Sequence, residues 1–156
     1  MSGLELQGVV KRFGDITVVQ HLDLIVQAGE FLVLLGESGC GKSTTLRMVA
    51  GLEEVTQGRV LIGGRDVTHV HPMARDIAMV FQNYALYPHM NVAQNMSFAL
   101  RLAARPAADI DAKVATAAKV LNIEHLLLRK PKELSGGQRQ RVAIGRAIVR
   151  TRGFPV

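Results

Sequence analysis

The chain has 156 residues, 48% of them hydrophobic and 21% charged, and 19 basic against 13 acidic side chains give a net charge of +6. That is about one domain's worth of ordinary globular chain and excludes a disordered or collagen-like polymer. The positive balance favours anionic partners, while 4% aromatic residues and no Trp make a poor stacking platform for single-stranded nucleic acid.

The start, Met1-Ser2-Gly3-Leu4-Glu5, has no basic stretch followed by an apolar core, so no secretory signal is expected and the default compartment is the cytosol. Leu4 to Val10 alternates as a strand does, and Ile16 to Val26 is β-branched and apolar, closed by Ala28-Gly29-Glu30. Phe31 to Leu35 is a continuous apolar run and predicts a buried strand. Ser43 to Ala50 predicts a helix stopped by Gly51, and Arg59 to Ile62 a strand bounded by glycines at 58, 63 and 64. Ile77 to Phe81 reads as a further buried strand. The longest apolar runs are five residues, far short of the roughly 20 that span a membrane. Asn91 to Ala103 is helical, with Asn91 as N-cap and Gln94 three residues on. Ala103 to Ala108 is a connector, Asp111 to Leu121 an Ala-rich helix, and Ser135 to Val149 the last helix. Strand, glycine loop and helix in alternation predict an α/β fold. The sole cysteine, Cys40, excludes an internal disulfide.

Two motifs carry chemistry. Gly36-Glu37-Ser38-Gly39-Cys40-Gly41-Lys42-Ser43-Thr44 follows the first buried run and fits Gly-x-x-x-x-Gly-Lys-Ser/Thr, the P-loop. Glycines let successive backbone N–H groups converge on phosphate oxygens, and the next helix aims its positive end at the same place. Lys42 supplies a point charge for the β- and γ-phosphates, and Ser43 a hydroxyl for Mg²⁺. Cys40 is either a thiol made acidic by Lys42 and the helix end or a small residue filling the loop. The second motif, Leu134-Ser135-Gly136-Gly137-Gln138-Arg139-Gln140-Arg141, opens the last helix with Ser135 as N-cap and Gln138 able to close a capping box. Gly136 and Gly137 cost helix propensity, which makes sense where something must approach the backbone closely.

Together these motifs resemble those of ATP-binding-cassette (ABC) transporters, over residues 1–150. The resemblance implies a P-loop NTPase fold with an N-terminal β-subdomain, a partial core sheet and a helical subdomain of about 91–135. It implies ATP and Mg²⁺ as ligands. Two such subunits, usually identical, would meet head to tail, each ATP lying between the P-loop (36–44) of one and the signature (134–138) of the other. Phe13 falls where the family stacks an aromatic on adenine, beside Val18; the alternative is an ordinary core aromatic. Gln82 falls at the Q-loop glutamine, which contacts Mg²⁺ and the attacking water. Asn83-Tyr84-Ala85-Leu86-Tyr87-Pro88-His89-Met90 falls on the segment that docks integral membrane permease subunits. With Asn91 to Phe98, Ala74-Arg75-Asp76 and Arg129-Lys130-Pro131-Lys132 it looks most like the ATPases of bacterial sugar importers, of the maltose and glycerol-phosphate type. Such a subunit is cytoplasmic and peripheral on the inner face of the membrane. A soluble ABC ATPase acting on nucleic acid has only the charge in its favour, and the docking segment counts against it.

The sequence departs from the family after Arg150. There the family continues with an apolar strand ending in Asp-Glu, which holds Mg²⁺ through water and supplies the general base, and later with a switch histidine. Residues 151–156 read Thr-Arg-Gly-Phe-Pro-Val instead. The expectation is a truncated domain lacking the C-terminal part of its core and a complete catalytic set, unable alone to turn over ATP. The run Phe31 to Leu35 would then have an open apolar edge. A one-base deletion in codons for Asn-Pro-Arg-Val yields Thr-Arg-Gly-Phe, so the tail reads as a frameshift, although Pro155-Val156 needs a further change. The alternatives are a non-catalytic fragment that binds nucleotide or pairs with an intact subunit, and a non-functional frameshift remnant that folds poorly. His69-x-His71 lacks a third metal ligand nearby and reads as loop histidines.

Overall fold

The computed structural model describes residues 2–150, and the chain divides between Ile77 and Ala78 into two units, each with its own core. The expected divergent tail, 151–156, lies outside the described residues.

The first unit is built on a four-stranded sheet in the order β2-β1-β3-β4, with β1 at Ser2–Phe13, β2 at Ile16–Gln27, β3 at Gln57–Ile62 and β4 at Arg65–Asp66. All its pairings are antiparallel. Phe13 pairs with Ile16 across the two-residue turn Gly14-Asp15, and that tight closure carries β1 past the Val10 end expected from alternation alone. A register shift between Leu6 and Val9 breaks the period of two. Both residues are therefore buried although their spacing would put them on opposite faces. They join Val19, Val60, Val67 and Met48, the last from helix α1 (Lys42–Ala50), in the unit's core.

Neither apolar run expected as a buried strand carries a ladder: residues 31–35 and 77–81 have no strand partner among the described residues. A continuous apolar run suits a strand in a sheet covered on both faces, and the sheet among the described residues includes neither run. Here Phe31 is 90% exposed and Leu35 87%.

The second unit packs α2 (Val92–Leu102), α3 (Ala107–Leu121) and α4 (Gly136–Ile148) around Val92, Met96, Val114, Ala117, Ile123, Leu126 and Val142. The expected capping box of α2 is present, with Asn91 Oδ1 accepting from the Gln94 N–H at 2.8 Å and Gln94 Oε1 from the Asn91 N–H at 2.9 Å. Helix α3 starts four residues earlier than expected. Pro106 stands at its N-cap, where no N–H is needed, and Ala107-Ala108 then favour helix over connector. No helix among the described residues is long and apolar enough to cross a membrane.

Candidate functional site

In the first unit, residues 36–41 lead directly into α1. Gly41 is the N-cap, at φ 92°, and a Cβ there would lie 2.9 Å from the Val18 carbonyl oxygen, so β2 and the loop can touch only if this position is glycine. No side chain caps α1, which leaves its first-turn N–H groups to an anion or solvent. Lys42 folds back on its own loop: Nζ donates to the carbonyls of Gly36 at 2.7 Å and Glu37 at 2.6 Å, and to Cys40 Sγ at 3.3 Å. Those carbonyls are neutral acceptors, and a polyphosphate oxygen competes with them on charge. Beside them is a cleft of about 290 Å³ lined by Val18, Val19, Leu34, Cys40, Gly41, Lys42 and Thr45. Glu37, Ser38, Gly39 and Ser43 are exposed and Thr44 is half-buried. The backbone and charge of this cradle suit a phosphate chain, and the Ser43 hydroxyl makes no intramolecular hydrogen bond among the described residues.

Phe13, at the end of β1, is 47% exposed, with the Lys11 ammonium 4.6 Å from its ring centroid. That rules out the ordinary core aromatic, although Phe13 is not among the cleft's lining residues. Cys40 is exposed, and the hydrogen bond from Lys42 holds its thiol below the usual range. The thiolate is thus populated at lower pH than in an ordinary cysteine. Maleimide labelling of Cys40 is expected to plateau at lower pH than that of a free thiol, to shift back up in Lys42→Ala, and to slow with ATP. Labelling with an ordinary thiol profile in both proteins would contradict this.

In the second unit, Ser135 Oγ accepts from the Gln138 N–H at 3.3 Å, and Gln138 Oε1 accepts from the Ser135 N–H at 2.9 Å, closing the expected capping box. Leu134, the residue before it, is buried in the unit's core. A Cβ at Gly136 or Gly137 would meet nothing within 4 Å. Nothing inside the fold therefore requires these glycines, which is what an approach from outside would need. A cleft of about 280 Å³ adjoins the turn, lined by Ser135, Gly137, Gln138, Arg141, His125 and Asn122 among others. Gln82, also in this unit, is exposed at the start of the turn that leads into the 83–90 segment.

His71 Nδ1 accepts from the Met73 N–H at 3.3 Å and caps a single 3₁₀ turn, Pro72–Ala74. No metal-competent cluster of His, Cys, Asp or Glu occurs among the described residues. Sequence reasoning missed Asn95 and Arg146, which together hold the 84–90 segment. Asn95 is fully buried, and its signal was a polar residue on the apolar stripe of α2 between Val92 and Met96. Arg146 sits on a helix already rich in arginine, so nothing set it apart.

The family described as "ABC transporter" matches residues 19–154. Among curated proteins, the sn-glycerol-3-phosphate import ATP-binding protein UgpC of Burkholderia mallei is 60% identical over 96% of this chain and 42% of its own length. The osmoprotective compounds uptake ATP-binding protein GgtA of Synechocystis is 57% identical over 96% of this chain and 41% of its own. The chain thus spans about two fifths of the length of these relatives. A solved structure, MJ1267, an ATP-binding cassette of an ABC transporter, superposes with a TM-score of 0.86 at 28% identity, covering 96% of this chain and 66% of that one.

Proposed function

We propose, since the chain belongs to the ABC transporter family, that these residues form the nucleotide-contacting part of the ATP-binding subunit of a bacterial importer. The observation that carries the reading is the Gly41–Lys42 junction, where a glycine-only contact with β2 opens α1 and brings the ammonium within 2.7 Å of the loop carbonyls. The loop amides of 36–41 and Lys42 would hold the β- and γ-phosphates. Ser43 would face Mg²⁺, and Phe13 with Val18 the adenine; Gln82 would be the Q-loop glutamine. Leu134 to Gln138 would meet the γ-phosphate bound by a second, identical subunit. Bound MgATP would supply a phosphoanhydride whose cleavage, with a base from outside these residues, would drive transport. The Tyr84 to Met90 segment would dock the permease subunits and hold the protein on the cytoplasmic face of the membrane. The solute we assign is a sugar or a glycerol phosphate, a class supported by the name of the Burkholderia mallei relative.

No Asp or Glu follows Glu133 in these 156 residues. A carboxylate base beyond the signature helix is therefore not among them, and phosphoryl transfer to water needs a positioned nucleophile as well as a phosphate cradle. The purified 156-residue chain is expected to bind a fluorescent ATP analogue saturably, with Mg²⁺ dependence and displacement by ATP. Its phosphate release should not exceed that of Lys42→Ala. Absence of displaceable binding would overturn the nucleotide reading, and Lys42-dependent phosphate release would overturn the expected lack of turnover.

A further inference from the structure

The 83–90 segment contains two adjacent non-glycine residues in the left-handed region, Tyr84 at φ 62° and Ala85 at φ 45°. Side chains there are sterically strained, and such strain persists only where the surroundings over-determine it. The surroundings come from two helices. Arg146 of α4 donates from Nη1 to the Ala85 carbonyl at 2.6 Å and from Nη2 to the Tyr84 carbonyl at 3.2 Å, and its guanidinium lies 5.6 Å from the Tyr87 ring centroid. Asn95 of α2 accepts from the Tyr87 N–H at 2.8 Å and donates to the carbonyls of Tyr87 at 3.1 Å and Met90 at 3.0 Å. The Tyr87 ring packs on Phe98, 4.8 Å between centroids.

The two anchors differ in kind. Asn95 is fully buried on the apolar stripe and ties the segment to α2, the next element in the chain. Arg146 reaches across 61 residues of sequence and reads the two strained carbonyls with one planar fork. Its helix begins at the Ser135 capping box, 11 residues earlier, or about 16 Å along the axis. We infer that Arg146 is a positioning residue: from the helix that opens at Ser135, it fixes the Tyr84–Tyr87 turn and so makes the docking surface move with α4. The link to docking rests on the reading of Tyr84 to Met90 given above; the clamp itself does not.

The chain has two Tyr, both in this turn, and no Trp. Near-ultraviolet circular dichroism from tyrosine therefore reports on the turn alone. The Tyr84, Tyr87 and Met90 N–H groups are all hydrogen-bonded, so their exchange with solvent deuterium is measurable. In the full 156-residue chain, Arg146→Ala is expected to speed exchange at these three amides by about tenfold or more and collapse the tyrosine band, with α2 and α3 amides within about twofold of wild type. Arg146→Lys keeps a cation near the Tyr87 ring but has no fork to span two carbonyls. It should recover part of the tyrosine band and leave the Tyr84 amide fast. Unchanged turn exchange in Arg146→Ala, or equal loosening throughout α2 to α4, would overturn the inference. If Arg146→Ala does not fold, the lysine variant decides: a wild-type Tyr84 amide overturns it and a selectively fast one supports it. None of these readouts involves a permease. Failure of the chain to co-sediment with permease-bearing membranes would overturn the docking reading and leave the clamp standing.

Discussion

Replacing Lys42 with alanine is expected to weaken MgATP binding by about 10- to 100-fold without unfolding the first unit. The magnitude follows from the charge-assisted hydrogen bonds the ammonium would make to phosphate, each worth about 1.5–3 kcal/mol, against about 1.4 kcal/mol per tenfold in affinity. The fold should survive because Lys42 lies at the first turn of α1, where alanine is a good helix former, and because its present partners are loop carbonyls of Gly36 and Glu37. Lys42→Arg tests whether a cation alone suffices. Gly36 and Glu37 accept from a single compact ammonium, and a guanidinium spreads the same charge over a wider plane. Its affinity should fall between those of wild type and the alanine variant. Titration with a fluorescent ATP analogue, checked by far-ultraviolet circular dichroism, measures all three. An alanine variant that binds within twofold of wild type would remove Lys42 from the site.

Most helices were legible because their punctuation is local. Asn91 with Gln94, Ser135 with Gln138, and Gly51 as a stop are each decided by residues within one turn, and each is found where the sequence puts it. The runs of β1 and β2 were legible as separate strands, but their joining into one hairpin across Gly14-Asp15 was not expected. The two apolar runs were not, because Phe31 to Leu35 and Ile77 to Phe81 are strand-like in composition and a ladder depends on distant partners. The alternation of β1 hid a register shift that pairing with β2 imposes, so Val9 changes face. At the candidate site, the P-loop and signature were readable as contiguous strings. The contact of Gly41 with the Val18 carbonyl, the Arg146 fork and the Asn95 anchor join residues 23, 61 and 8 apart, and no string of neighbours shows them. Ala74-Arg75-Asp76 was noticed as part of a family resemblance, yet its structural use is of a different kind.

Arg75→Met should destabilise the first unit by at least about 1–3 kcal/mol, the cost of leaving a buried acceptor without its donor. Arg75 is 5% exposed, and its guanidinium donates to four carbonyls: Val70 at 2.9 Å, Met48 at 2.9 Å, Val49 at 3.0 Å and Thr68 at 3.1 Å. Two of these belong to the last turn of α1, where helix carbonyls lack intrahelical donors and the helix end is partially negative. Methionine fills similar space with no N–H, so the carbonyls of Val49, Thr68 and Val70 lose the guanidinium as donor, while that of Met48 keeps the Gly51 N–H at 3.1 Å. Gly51 is coupled to the same cluster. It ends α1 at φ 73°, and a Cβ there would lie 2.4 Å from Arg75 Nε, so Gly51→Ala meets both backbone strain and a blocked guanidinium. The tyrosines lie in the other unit, so the effect must be read by amide exchange: faster in α1 and around Val60 and Val67, and unchanged in α2 to α4. Because α1 also carries Lys42 and Ser43 at its opposite end, MgATP affinity should fall along with stability in both variants. An Arg75→Met chain whose α1 amides exchange at wild-type rates would show that the four contacts contribute little, and that the phosphate loop is held by its own Lys42 hydrogen bonds and the close approach of Gly41 to β2.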